Sequence, residues 1–142
     1  MKTLITLLII FLFAASVSVN AVSAQTFKFQ LATPATPAAV AGTDFDVKIL
    51  INTAGKQTLG GDAIVVYDNN ILSIKTAQKG TFFEVFQDHT IGGSTNKYLL
   101  SAWQTTEVNP VGTAAETLFG TVTFTAKTPG SATLSFDCTS GS

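Results

Sequence analysis

The sequence runs to 142 residues, 46% of them hydrophobic and only 12% charged, with a formal net charge of −1. Eight lysines and no arginine leave no basic excess for neutralising phosphates, which excludes a nucleic-acid binder. One cysteine cannot close an internal disulfide, and one Cys with one His cannot build a closed zinc site, so no metal or cofactor is expected. Eleven Phe, with Val, Ile and Thr throughout, are unlike a disordered chain and point to a single β-rich domain.

Residues 1–24 read as a secretory signal peptide. Lys2 gives the positive start, an apolar run follows from Leu4 to Ala15, and Val22-Ser23-Ala24 supplies the small-x-small cleavage pattern before Gln25. The run of about a dozen apolar residues is shorter than the ~20 that a spanning helix needs. Cleavage removes Lys2 and takes the formal charge from −1 to −2. The expected product is secreted or held at the cell surface, with no membrane segment of its own.

The mature domain is expected over residues 25–137. Alternation with period two marks half-buried strands. Phe27, Phe29 and Leu31 form the first inward set, and Phe45, Val47, Ile49 and Ile51 the second. Residues 62–67, 71–76 and 98–103 are apolar enough for strands but alternate less cleanly. Leu118, Val122, Phe124 and Ala126 form another inward set, with Thr121, Thr123 and Thr125 outward, and Ala132, Leu134 and Phe136 close the series. By the same parity Phe119 points outward. Residues 82–87 are the one stretch for which the pattern leaves a helical turn open. Turn chemistry at Pro34, Pro37, Gly55, Gly60-Gly61, Asp68-Asn69-Asn70, Gly80, Gly92-Gly93, Asn109-Pro110 and Pro129-Gly130 separates the segments. About eight strands without a helical period predict an all-β, two-sheet antiparallel sandwich. Residues 138–142 form a polar tail that reads as the start of a linker.

Catalytic chemistry is thin. Asp88 and His89 are adjacent, so in a strand they point to opposite faces, and no Gly-x-Ser-x-Gly turn presents a nucleophile. Glu84, Asp88, Glu107 and Glu116 lack the facing partner that glycoside hydrolysis needs. Asp68-Asn69-Asn70 reads as an Asx turn, since calcium wants six to eight oxygens and no further acid lies nearby. Nothing basic surrounds Cys138 to lower its pKa. No catalytic residue and no enzyme activity are expected.

The stretch Gly60-Gly61-Asp62-Ala63-Ile64-Val65-Val66-Tyr67-Asp68-Asn69-Asn70-Ile71-Leu72 resembles the third strand and following turn of a cohesin domain. Phe45-Asp46-Val47-Lys48-Ile49, Leu118-Phe119-Gly120-Thr121-Val122-Thr123-Phe124 and the strand from Gly130 to Phe136 match the same family in order. The chain departs from the family pattern after its sixth strand, where it carries Trp103-Gln104-Thr105-Thr106-Glu107. The resemblance implies a nine-strand jelly-roll sandwich and a non-catalytic receptor that holds a dockerin, as cohesins do in extracellular polysaccharide breakdown. It also implies a partner face on one sheet that includes residues 62–67.

Parity puts Asp62, Ile64 and Val66 on one side of that strand and Ala63, Val65 and Tyr67 on the other. On the face that the resemblance implies, Asp62, Ile64 and Val66, with the outward Thr121, Thr123 and Thr125, are the candidate partner-binding residues. The other reading of residues 62–67 is a strand covered by a loop or buried on both sides. Two other functions stand beside partner binding. A carbohydrate-binding module would hold polysaccharide on exposed rings, for which Trp103, Tyr98 and Tyr67 are the candidates. A structural surface or adhesion domain would need no discrete ligand.

Overall fold

The computed structural model describes residues 26–31 and 40–138, and their regular structure consists of eight strands. These are β1 (Thr26–Leu31), β2 (Asp44–Asn52), β3 (Gly60–Val66), β4 (Leu72–Lys79), β5 (Val85–Thr90), β6 (Lys97–Trp103), β7 (Thr117–Ala126) and β8 (Ser135–Phe136). They form two four-stranded sheets, ordered β1-β2-β7-β4 and β5-β6-β3-β8, and every pairing is antiparallel. The architecture is an all-β sandwich of jelly-roll type. The signal-peptide reading of residues 1–24, the turn at Pro34 and Pro37 and the tail beyond Cys138 lie outside the described residues.

Side chains along a strand alternate between faces, so each strand contributes every second residue to the interior. Val47, Ile49 and Ile51 of β2 and Val122, Phe124 and Ala126 of β7 meet Ala63 and Val65 of β3 and Leu100 and Ala102 of β6. All are essentially buried. Fully burying each of the larger ones contributes ~1.5–3 kcal/mol.

One expectation needs correction, and one open reading is resolved. Simple parity sends Leu118 inward and Phe119 outward, yet Phe119 is only 1% exposed. Ile49 pairs with Gly120 and Leu50 with Leu118, which leaves Phe119 as the extra residue of a β-bulge. The bulge turns the ring inward, where it meets Phe27 at 5.1 Å and Phe83 at 5.8 Å between centroids, both nearly perpendicular. Leu118 shares the outer side with its partner Leu50. Gly120 follows because a Cβ there would lie 3.1 Å from the Phe86 ring.

Residues 82–87, open in the sequence, do not form a helical turn. Gly80 and Thr81 hydrogen-bond to the carbonyls of Phe119 and Leu118, pulling the chain across the bulge. A Cβ at Gly80 would sit 2.1 Å from the Leu118 carbonyl oxygen, so only glycine makes that approach. Phe83 then drops into the core and β5 begins at Val85.

The two open sides of the sandwich differ. Between the β1 and β8 edges, Phe27, Phe29 and Phe136 form an aromatic seal, with Phe29 and Phe136 stacked at 3.8 Å. The β4 and β5 edges on the opposite side flank a groove.

Candidate partner-binding face

The outer face of the β5-β6-β3-β8 sheet is banded, and the band follows from the register. Trp103 lies opposite Gly60 on one neighbour and Val85 on the other. The next row is Asp62, Ser101 and Gln87, and the one after it Ile64, Leu99 and His89. Lys97, Val66 and Ser135 form the last. Two rows dominated by apolar side chains thus enclose a polar one. Within the polar row, Ser101 Oγ donates to Asp62 Oδ1 at 2.5 Å, which orients the carboxylate and leaves its other oxygen available.

Asp62 is exposed, while Ile64 and Val66 are half-buried. Their partial cover comes from an ion pair. Lys97 on β6 reaches across β3 to Asp137 just after β8, Nζ to Oδ2 2.6 Å, and Asp137 N donates to the Ile64 carbonyl at 2.9 Å. The pair straddles the strand and stands between the apolar side chains and the β8 edge.

The sequence-derived candidates separate into three groups. Asp62, Ile64 and Val66 do share one outward face, with Ala63, Val65 and Tyr67 buried behind them. Thr121, Thr123 and Thr125 also face outward, but on β7, in the opposite sheet. One partner cannot cover both sets, so the threonines are removed from this face. Their hydroxyls have other work: Thr123 donates to Asp46 Oδ1 and Thr125 to Asp44 Oδ1, both at 2.6 Å.

The aromatic strip is corrected as well. Tyr67 and Tyr98 are 9% and 8% exposed and point into the interior, so neither ring can stack on a sugar from the sheet surface. Trp103 alone stands on the outer face. The double leucine Leu99-Leu100, which parity could not order, resolves with Leu100 fully buried and Leu99 outward. Leu99, Trp103, Val85 and His89 stand on this face without having been among the partner-binding candidates, Trp103 having been named only for sugar binding. The signal for the first two was the β3 pattern itself, since its inward set fixes that of its β6 partner.

The carboxylates elsewhere are held singly. Glu84 accepts from both the hydroxyl and the N–H of Thr105, which holds its pKa below the usual glutamate value. Asp88 accepts the Tyr98 hydroxyl, Glu116 pairs with Lys28 at 2.9 Å, and His89 faces the other way from Asp88. Among the described residues no group of three His, Cys, Asp or Glu side chains converges to hold a metal ion.

Asp44 is held below the ordinary aspartate value of 3.8, first by its hydrogen bond from Lys75 and then by that from Thr125. A carboxylate whose pKa drops on folding stabilises the native state above its unfolded pKa and loses that contribution as pH falls through the folded value. Asp44→Asn is therefore expected to lower Tm slightly at pH 6, with the gap to the parent narrowing as pH falls below the ordinary aspartate value of 3.8. A gap that stays constant as pH falls below that value would show that the charge plays no part.

No protein-family model matches the sequence, and no curated protein does. Solved structures do. The second type II cohesin module of an adaptor scaffoldin from Acetivibrio cellulolyticus aligns with a TM-score of 0.63 at 14% identity, covering 82% of this chain and 73% of that one. A cohesin from Clostridium acetobutylicum gives 0.60 at 16% identity over 80% and 75%. The cohesin–dockerin complex of type I from Clostridium thermocellum gives 0.58 at 15% identity over 79% and 82%. The fold is that of a cohesin. Identity at this level carries topology and not partner residues.

The cohesin-like stretch at residues 60–72 has a structural explanation within that fold. Tyr67 packs edge-on against Phe124 at 5.8 Å, and Asp68 then closes an Asx turn. Its Oδ1 accepts from Asn70 N at 2.9 Å, and its carbonyl accepts from Ile71 and Leu72. The turn carries the chain from one sheet to the other and delivers Leu72 to the core.

Proposed function

We propose that this chain is a secreted or surface-held, non-catalytic recognition module that docks a dockerin-class protein on the outer face of the β5-β6-β3-β8 sheet. The observation that carries the reading is the banded face: Trp103, Val85, Leu99 and Ile64 lie in two rows around the oriented Asp62 carboxylate. Apolar rows exclude water at the centre of an interface, and a fixed carboxylate between them gives a directed acceptor for partner N–H groups. Support comes from the neighbouring folds, one of which is solved as a cohesin–dockerin complex. A partner carrying an enzyme would place the module in extracellular polysaccharide breakdown.

Three strands of six or seven residues and the two-residue β8 span at most roughly 22 Å by 19 Å. A standard interface needs ~800 Å² per partner, so the adjoining loops belong to the footprint. Leu59, 40% exposed and next to Gly60 at the start of β3, supplies part of that extension. Leu59 is fixed beside Trp103 by the hydrogen bond from Gln104 N to its carbonyl, 2.8 Å.

Titration calorimetry of the protein against a panel of calcium-loaded dockerins tests the reading. At least one dockerin is expected to bind, and Trp103→Ala to weaken it by about thirtyfold, as a central aromatic anchor would. Unchanged affinity in Trp103→Ala, or no binding across the panel, would refute the assignment.

A further inference from the structure

The groove between the β4 and β5 edges lies apart from the docking face and encloses about 440 Å³. That volume falls within the ~300–1,000 Å³ of small-molecule sites. Its floor is Tyr67, Tyr98, Leu72 and Ile74, and its walls include Asn69, Ser73, Thr90, Lys75 and Lys127. Amide, hydroxyl and ammonium groups thus surround an apolar base at the one flank of the sandwich that the phenylalanines do not seal.

The two lysines differ. Lys75 is engaged by the Asp44 carboxylate. Lys127 donates to the Asn69 carbonyl at 2.6 Å and has no carboxylate partner among the described residues. One ammonium with donors to spare therefore stands at the rim. Tyr98 donates its proton to Asp88, which fixes the phenol with its oxygen ready to accept. Burial, more than the Asp88 charge, raises the Tyr98 pKa well above the usual tyrosine value, so the hydroxyl stays protonated.

We propose that this groove binds a carboxylated sugar, a uronic acid unit of an acidic polysaccharide, with Lys127 holding the carboxylate and Asn69, Ser73 and Thr90 holding ring hydroxyls. A charge-assisted hydrogen bond from the ammonium gives the acidic sugar its advantage over a neutral one. The site does not depend on the docking face, and the two can be occupied together.

Amide chemical-shift titration of the protein as exported, with oligogalacturonate as probe and a neutral cello-oligosaccharide of equal length as control, tests it. Shifts are expected at Asn69, Ser73 and Thr90, with the neutral sugar about tenfold weaker. Lys127→Gln keeps an N–H for the Asn69 carbonyl and removes the charge. It is expected to lower uronate affinity about tenfold, to the level of the neutral sugar. Tyr67→Phe, which preserves the packed ring, is expected to weaken both sugars by the same few-fold. Shifts confined to other surfaces, equal binding of the two sugars, an unaffected Lys127→Gln, or binding of plain glutarate as tight as that of the sugar would each overturn the assignment.

Discussion

Replacing Phe119 by alanine is expected to lower the unfolding free energy by about 3–5 kcal/mol, the cost typical of emptying a buried aromatic site. The ring is 1% exposed and sits between Phe27 and Phe83 in two edge-to-face contacts. Its removal would leave a cavity that three strands border, and the bulge backbone is tied to Gly80 and Thr81, so collapse is restricted. Domains of this size have about 5–15 kcal/mol in total, so the variant would sit close to the folding threshold. Urea denaturation of parent and variant measures the difference. If Phe119 pointed outward, as strict alternation says, the loss would fall within about 0.5 kcal/mol. Phe119→Leu, which fills much of the same volume, should lose less than the alanine variant.

That prediction marks where sequence reading stops. Period-two alternation locates a strand and sorts its residues into two sides, which is why β2 and most of β7 follow the expected pattern. A bulge depends on how the neighbouring strand pairs. Nothing local in Leu118-Phe119-Gly120 announces that Ile49 and Leu50 will skip the middle residue. Residues 82–87 stay open in the sequence for the same reason, because Gly80 and Thr81 are directed by the carbonyls of that distant bulge.

Alternation also cannot say which sheet an outward residue decorates. Thr121, Thr123 and Thr125 were correctly placed facing out, yet they belong to the sheet opposite Asp62, Ile64 and Val66. Tyr67 served as a sound anchor because a large ring ending an apolar strand has a strong reason to be buried. The same reasoning, applied to Tyr98, would have removed it from the list of sugar platforms. The β4–β5 groove was invisible in the sequence, since its lining comes from six separate segments.

The docking face offers a sharper contrast. Ile64→Asp is expected to reduce affinity for a bound dockerin by at least about a hundredfold while changing stability by only about 1 kcal/mol. In the free protein the new carboxylate would be half-solvated, on the same face as Asp62 and beside the Lys97–Asp137 ion pair. Lys97 could share its charge with the newcomer, which limits the cost of folding. In the complex the same carboxylate would be desolvated within an apolar row, beside Leu99, and that cost falls on binding. Ile64→Ala removes only apolar contact and should weaken binding about tenfold. Thr123→Val, on the opposite sheet, should leave binding unchanged. Calorimetric affinities set against thermal midpoints separate these cases. Unfolding of Ile64→Asp would show that β3 is core on both sides, and undiminished binding would show that the partner sits elsewhere. If Thr123→Val weakens binding as much as Ile64→Ala does, the interface lies on the β7 face and the banded sheet is not the docking surface.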